Sequence, residues 1–257
     1  MTRSERLQYA ALLVLAVASL VAFLGWWFRP EHVADNFTGK RHALDLVLFV
    51  LLTLVFGHRL FMDAFTWLVA WGMKVEKEPP PPEPGLRVAF ITSFVPSSEP
   101  LDLLRATLPA MQAADYPHDT WVLDEGGVEE VRQLCEELGV RYFSRAGVRR
   151  FNLVAGPFTA RTKGGNHNAW YDSFGDEYDV VAQIDTDFIP ARDFLTRTLG
   201  HFADPKVGFV GTPQVYGNGD SSFVARGASQ QQYSFYGPLL RGLASRGSHV
   251  VIVPSSA

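Results

Sequence analysis

At 257 residues and a net charge of −4, the chain gives no support to broad nucleic-acid binding, which needs a clustered basic surface. The length allows one domain of good size plus something smaller. A single cysteine, Cys135, excludes an internal disulfide. The 47% of hydrophobic residues are spread unevenly, and that unevenness divides the chain.

Leu7 to Phe28 carries no charged side chain over 22 residues. As a helix it would be about 33 Å long, enough for a hydrocarbon core of roughly 30 Å. Arg3 and Arg6 precede it, and Trp26, Trp27 and Arg29 stand at its far end, where interfacial aromatics belong. A cleaved signal peptide is the competing reading, but the apolar run is long and "GWWFRP" is a poor cleavage site. A second apolar stretch, Ala43 to Met73, is interrupted by Gly57, His58 and Arg59. It reads either as one long tilted helix or as a span that bends into an interfacial helix near Trp67 and Trp71. Arg59 and Asp63, four apart, would neutralise each other. Two spans return the chain to its starting side, and Arg3 and Arg6 place that side in the cytoplasm. The expectation is a multi-pass anchor in the cell membrane over residues 1–75, with spans at about 7–28 and 43–73. "EKEPPPPEPG", residues 76–85, then reads as an extended polyproline spacer and a domain boundary.

From residue 86 to 257 short apolar strands alternate with helical stretches. "LRVAFITSF", "DTWVLDEGG", "VRYFSR" and "YDVVAQIDTD" read as strands. "LDLLRATLPAMQAA", "VEEVRQLCEELG", "GGNHNAWYDSF" and "FLTRTLGHF" read as helices. This rhythm predicts an α/β domain: a mainly parallel sheet with helices on both faces. Ligands bind beyond the carboxyl ends of such strands. Ser93, Asp124, Glu125, Asp185 and Asp187 collect there. No G-x-G-x-x-G follows the first strand and no P-loop is present, so dinucleotide and P-loop chemistry lose their main support.

Asp185 and Asp187 offer hard oxygen ligands at a strand end. Mg²⁺ or Mn²⁺ takes such ligands, completed by water and substrate phosphates, and would neutralise charge on a leaving diphosphate. A capped turn is the plain alternative. Asp124, at the end of "WVLD", either caps its own turn or accepts hydrogen bonds from a nucleoside. Lys163, ahead of two glycines at a helix start, is either a solvated loop lysine or a cation facing an anion beside free amides. His167 reads as structural, and "SQQQYSFYG" as an amphipathic helix or an acceptor-facing surface.

Taken in order, "FVPSSEP", "WVLDEGG", "KGGNHNAW", "QIDTDFIP" and "VGFVGTPQVYGN" resemble the family-two glycosyltransferases, the processive-synthase-like group that includes cellulose synthase catalytic subunits. The resemblance covers about residues 87–236. It implies a GT-A, Rossmann-like fold, a nucleotide-diphospho-sugar donor such as a UDP-sugar, a glycan or lipid acceptor, inversion, and Mg²⁺ or Mn²⁺. It further implies that Ser97, Glu99 and Asp124 meet the nucleoside side of the donor. Lys163 would meet its nucleotide portion, while Asp185 and Asp187 bind metal and diphosphate. "VGFVGTPQVYGN" corresponds to a strand followed by T-P-Q.

The sequence departs from that pattern in three places. Phe188 stands where many relatives have a histidine, and the Ser97–Ser98–Glu99 segment is one residue shorter than theirs. An inverting transfer needs a carboxylate base, and after Asp187 the chain has only Asp193, a helix cap by position, Asp204 in a turn and Asp220 in a loop. The expectation is a GT-A domain incomplete at its C-terminus, where "GSHVVIVPSSA" reads as a strand, with its general base unassigned and its activity as it stands in question. A non-catalytic nucleotide-sugar-binding or membrane scaffold module is the alternative. A haloacid-dehalogenase-type phosphatase would carry D-x-D on its first strand, not its fourth.

Overall fold

The computed structural model describes residues 3–33, 42–74 and 79–247. The chain forms two compact units, Met1–Lys77 with Thr212–Val251, and Glu78–Gly211 with Ile252–Ala257. The sequence-predicted strand in "GSHVVIVPSSA" lies outside the described residues.

The first unit is helical: α1 (Arg3–Trp27), a short α2 (Pro30–Val33) and α3 (His42–Trp71). At 1.5 Å per residue α1 and α3 are about 37 and 45 Å long. Both are long and apolar enough to cross a membrane. α1 is apolar all round and buries none of its residues. The two helices run antiparallel: the Tyr9 hydroxyl donates to the Trp67 carbonyl at 2.9 Å, and Trp27 Nε1 donates to Thr53 Oγ1 at 3.0 Å. Trp27 stacks on Phe49 with centroids 5.1 Å apart. Of the two readings of the second apolar stretch, one continuous helix is what forms, with Arg59 and Asp63 paired at 3.0 Å along its surface. Later in the chain Ser222 caps α8 (Phe223–Ser234) by accepting from the Ala225 amide. A π-helical turn follows at Phe235–Arg241, around Pro238, which has no amide proton to give the ordinary ladder. It leads into α9 (Gly242–Ala244), and Gly242 packs so closely on α3 that a Cβ there would sit 2.5 Å from Val69 Cγ1.

The second unit holds β1 (Val88–Phe94), α4 (Leu101–Gln112), β2 (Asp119–Asp124) and α5 (Glu129–Leu138). It continues with β3 (Arg141–Phe143), α6 (Lys163–Phe174), β4 (Val180–Asp185) and α7 (Phe194–Leu199). The strands form one parallel sheet in the order β3-β2-β1-β4. Alternate residues of each strand face opposite sides, so the sheet carries two cores. Phe90, Phe94 and Val122 pack with Leu104, Leu108 and Met111 of α4, Val131 and Leu134 of α5, and Leu195 and Leu199 of α7. Ala89, Ile91, Trp121 and Leu123 pack with Trp170 of α6 on the other face. The expected α/β architecture, a Rossmann-like parallel sheet with helices on both faces, is therefore present. Gly139 ends α5 in the left-handed conformation, with φ 67°, which only glycine takes without cost.

The predicted strand in "VGFVGTPQV" is not one: residues 207–216 are irregular. A strand needs a ladder partner, and β4 is the sheet's edge on that side among the described residues. The described part of the proline-rich segment is anchored, since the Tyr116 hydroxyl donates to the Glu83 carbonyl at 2.6 Å and accepts from the Leu86 amide at 3.0 Å.

Candidate functional site

The sheet register brings the chemistry together. Ser93 lies opposite Asp185 on one side, and Phe94 opposite Asp124 on the other. The chain turns to opposite sides of β1 to reach β2 and β4, which is the switch point where open α/β sheets bind ligands. The amino end of α6 arrives at the same edge. A cavity of about 380 Å³ sits there, lined by Ser93, Pro96, Ser97, Glu125, Arg161 and Lys163, among others.

The loops around the cavity are held by their own acids. After β1 the amides of Ser98 and Glu99 both reach the Val95 carbonyl at 3.0 Å, and the Glu99 carboxylate accepts from the Val95 amide at 2.6 Å. Glu99 thus ties its own loop, while Ser97 is exposed on the cavity wall. After β2, Asp124 is fully buried and both its oxygens are engaged. One accepts from the Gly126 amide at 2.8 Å; the other accepts from the Val128 amide and, at 2.9 Å, from the Tyr142 hydroxyl. Burial, and then the hydrogen bond to Asp124, push the Tyr142 pKa upward. In this structure Asp124 caps the turn. The two loops touch: a Cβ on Gly126 would lie 2.5 Å from Pro96 Cγ.

Lys163 and Asp185 meet. The Lys163 ammonium lies against Asp185 Oδ1, with the carboxylate's side chain only 11% exposed. Thr162 caps α6 through its hydroxyl, which accepts from the Gly165 amide at 3.0 Å. Behind Lys163, His167 is buried and its Nε2 has no hydrogen-bond partner. Burial, and then the Lys163 charge, push its pKa down to about 4, which favours the neutral imidazole. The D-x-D forms a turn closed by the Phe188 amide on the Asp185 carbonyl at 3.1 Å. Thr186 between the acids is buried, its carbonyl accepting from Thr107 Oγ1 at 2.6 Å, and this anchors the turn to α4. Asp187 is exposed, with no hydrogen bond or ion pair among the described residues.

Two arginines that sequence reasoning passed over shape the cavity. Arg145, just past β3, is fully buried. It grips Glu125 with two bonds, at 2.9 and 2.7 Å, and reaches the carbonyls of Phe151, Thr159 and Thr162. Arg161 lines the cavity in the left-handed conformation, with φ 58°. Neither role is legible from residue type, because the contacts join segments far apart in sequence.

The carboxylates that could hold a cation are Asp185 and the exposed Asp187. No group of three or more His, Cys, Asp or Glu that could hold a metal occurs among the described residues. Two hard oxygens with open positions suit a divalent ion that keeps water and substrate phosphates as its other ligands. Of the three later acids, Asp193 starts α7 but makes no side-chain cap and instead faces Arg197 at 3.7 Å. Asp204 closes a turn on the Lys206 amide at 3.0 Å, and Asp220 faces Arg226 at 3.5 Å.

No family model matches the chain. It is 28% identical over 219 residues to the cellulose synthase catalytic subunit [UDP-forming] of Pseudomonas fluorescens (strain SBW25), covering 82% of this chain and 27% of that protein. To the subunit of the same name in Xanthomonas axonopodis pv. citri (strain 306) it is 29% identical over 200 residues, covering 74% and 24%. Cellulose synthase 2 of Novacetimonas hansenii is 32% identical over 160 residues, 60% of this chain and 9% of that protein. The chain thus spans about a quarter or less of these relatives. Among solved structures, the mannosyltransferase PcManGT from Pyrobaculum calidifontis, in complex with GDP-Man and Mn²⁺, overlaps 61% of this chain and 44% of its own at 18% identity and a TM-score of 0.45, too low to carry a residue correspondence. The resemblance read from the ordered motifs is borne out by sequence: over most of its length the chain is similar to cellulose synthase catalytic subunits.

Proposed function

We propose that the chain is the donor-binding part of a membrane-anchored glycosyltransferase. In this reading it takes a nucleotide-diphospho-sugar and serves a glycan or lipid acceptor with inversion. The observation that carries the reading is the meeting of Lys163 and Asp185 at the sheet's switch point, beside a cavity with hydroxyl and cationic walls. A UDP-sugar is the favoured donor, because two relatives are named UDP-forming.

Asp185 and Asp187 would hold Mg²⁺ or Mn²⁺, which when bound neutralises charge on the departing diphosphate. Lys163 pairs with Asp185 in the free protein and offers an ammonium to the donor's phosphates when they arrive. Ser93 and Ser97 supply hydroxyls to the cavity, while Asp124 and Glu99 hold the two loops that frame it. Asp193, Asp204 and Asp220 each have other partners, so none is assigned as the general base. α1 and α3 would be the anchor, with Arg3 and Arg6 keeping the sheet domain on the cytoplasmic side. The non-catalytic donor-binding reading shares this site and lacks only the transfer step.

The test is calorimetric titration of the detergent-solubilised full chain with UDP, GDP and UDP-glucose. Saturable binding of one nucleotide class supports the reading. No binding of any by the folded protein overturns it.

A further inference from the structure

Arg145 is a fully buried arginine with every guanidinium donor engaged. Nε and Nη2 hold Glu125, Nη2 also reaches the Thr162 carbonyl, and Nη1 reaches Phe151 and Thr159. A buried guanidinium is expensive unless fully paired, so this one fixes whatever it grips. It grips both sides of the cavity's cationic rim: Glu125 after β2, and the carbonyls of Thr159 and Thr162 flanking Arg161. Glu125 Oε1 completes the loop by accepting from the Arg161 amide at 3.2 Å.

Arg161 is the one non-glycine residue with positive φ among the described residues, a conformation unfavourable for a residue that carries a side chain. Arg161 lines the cavity, and its guanidinium makes no hydrogen bond or ion pair among the described residues. On the same wall Asn166, 1% exposed, gives its amide to the Leu123 carbonyl at 3.1 Å and leaves Oδ1 buried without a partner. An unpaired cation and an unmet acceptor in one cavity call for a ligand carrying both anionic and donor groups.

We propose that the buried Arg145–Glu125 pair is a positioning device that holds Arg161 in its left-handed turn, making Arg161 a second cation, beside Lys163, for the phosphates of the bound nucleotide. The proposal rests on the nucleotide-sugar reading above. Arg161 touches the ligand, whereas Glu125 and Arg145 act through it.

The experiment is calorimetry on the full chain in detergent, with UDP and with uridine, for wild type, Arg161→Ala, Glu125→Gln and the double variant. Arg161→Ala is expected to weaken UDP roughly tenfold, the worth of one charge-assisted hydrogen bond, and to leave uridine unchanged. Glu125→Gln is expected to weaken UDP similarly, and the double variant no further, since both changes remove one interaction. Equal UDP affinity in Arg161→Ala and wild type overturns the proposal, as do losses that add in the double variant. Arg161 is exposed, so its variant decides the matter even if Glu125→Gln does not fold. A wild type that binds no nucleotide overturns the underlying reading and the proposal with it; binding with unaffected variants overturns the proposal alone.

Discussion

The Lys163 ammonium rests on Asp185 Oδ1 across the gap between the amino end of α6 and the carboxyl end of β4. The pair joins the K-G-G and D-x-D segments, 22 residues apart in sequence, and sets a cation beside the cavity. Lys163→Met should therefore weaken UDP binding roughly tenfold while the sheet domain stays folded. Titration calorimetry reads the first and circular dichroism the second.

Gly165 is where the loop, the clamp and α6 come closest. A Cβ there would lie 2.2 Å from the Thr159 carbonyl oxygen and 2.6 Å from Arg145 Nη1. Neither can retreat, since Arg145 is buried and fully bonded. Gly165→Ala should cost roughly 1–3 kcal/mol, the usual range for overpacking, seen as a lower urea midpoint in tryptophan fluorescence. Gly164→Ala, with nothing near its Cβ, should cost much less.

His167 makes stability fall in acid. Its pKa in the folded chain is about 4, against 6.5 when free. Between those values the unfolded chain binds a proton that the folded chain refuses. Stability therefore rises with pH through the window and is lost as pH falls, by up to about 1.4 kcal/mol per pH unit. Urea midpoints measured from about pH 7 down to about pH 5 should drop more steeply in wild type than in His167→Gln.

Cys135 is buried in α5, and burial first, then the charges of Asp124 and Glu136, push its thiol up to about 12. The thiolate is the reactive form. Iodoacetamide at neutral pH should leave Cys135 unmodified in the native chain and label it as urea unfolds the sheet domain, read by mass spectrometry.

Much of this was legible in the sequence because it rests on local patterning. The strand–helix alternation gave the parallel sheet. Gly139 marked the end of α5, and the charge-free run after Arg6 marked α1. The D-x-D and K-G-G segments were placed at one edge by topology alone. What escaped depends on long-range pairing. "VGFVGTPQV" has strand character yet finds no ladder beside β4, so it stays irregular. Asp124 was open between turn and ligand, and only the positions of Val128 and Tyr142 show both its oxygens engaged. Arg145 looked like any surface arginine until three loops closed over it.

The measurement that bears most directly on the donor site is UDP titration of the full chain with Mn²⁺ and with EDTA, in wild type and Asp187→Ala. Asp187 is exposed and holds nothing else in place, so its loss should leave the fold intact. The account predicts UDP binding that is stronger with Mn²⁺ in wild type and loses that dependence in Asp187→Ala. Binding that ignores both the metal and Asp187 would contradict it and leave the D-x-D as a turn.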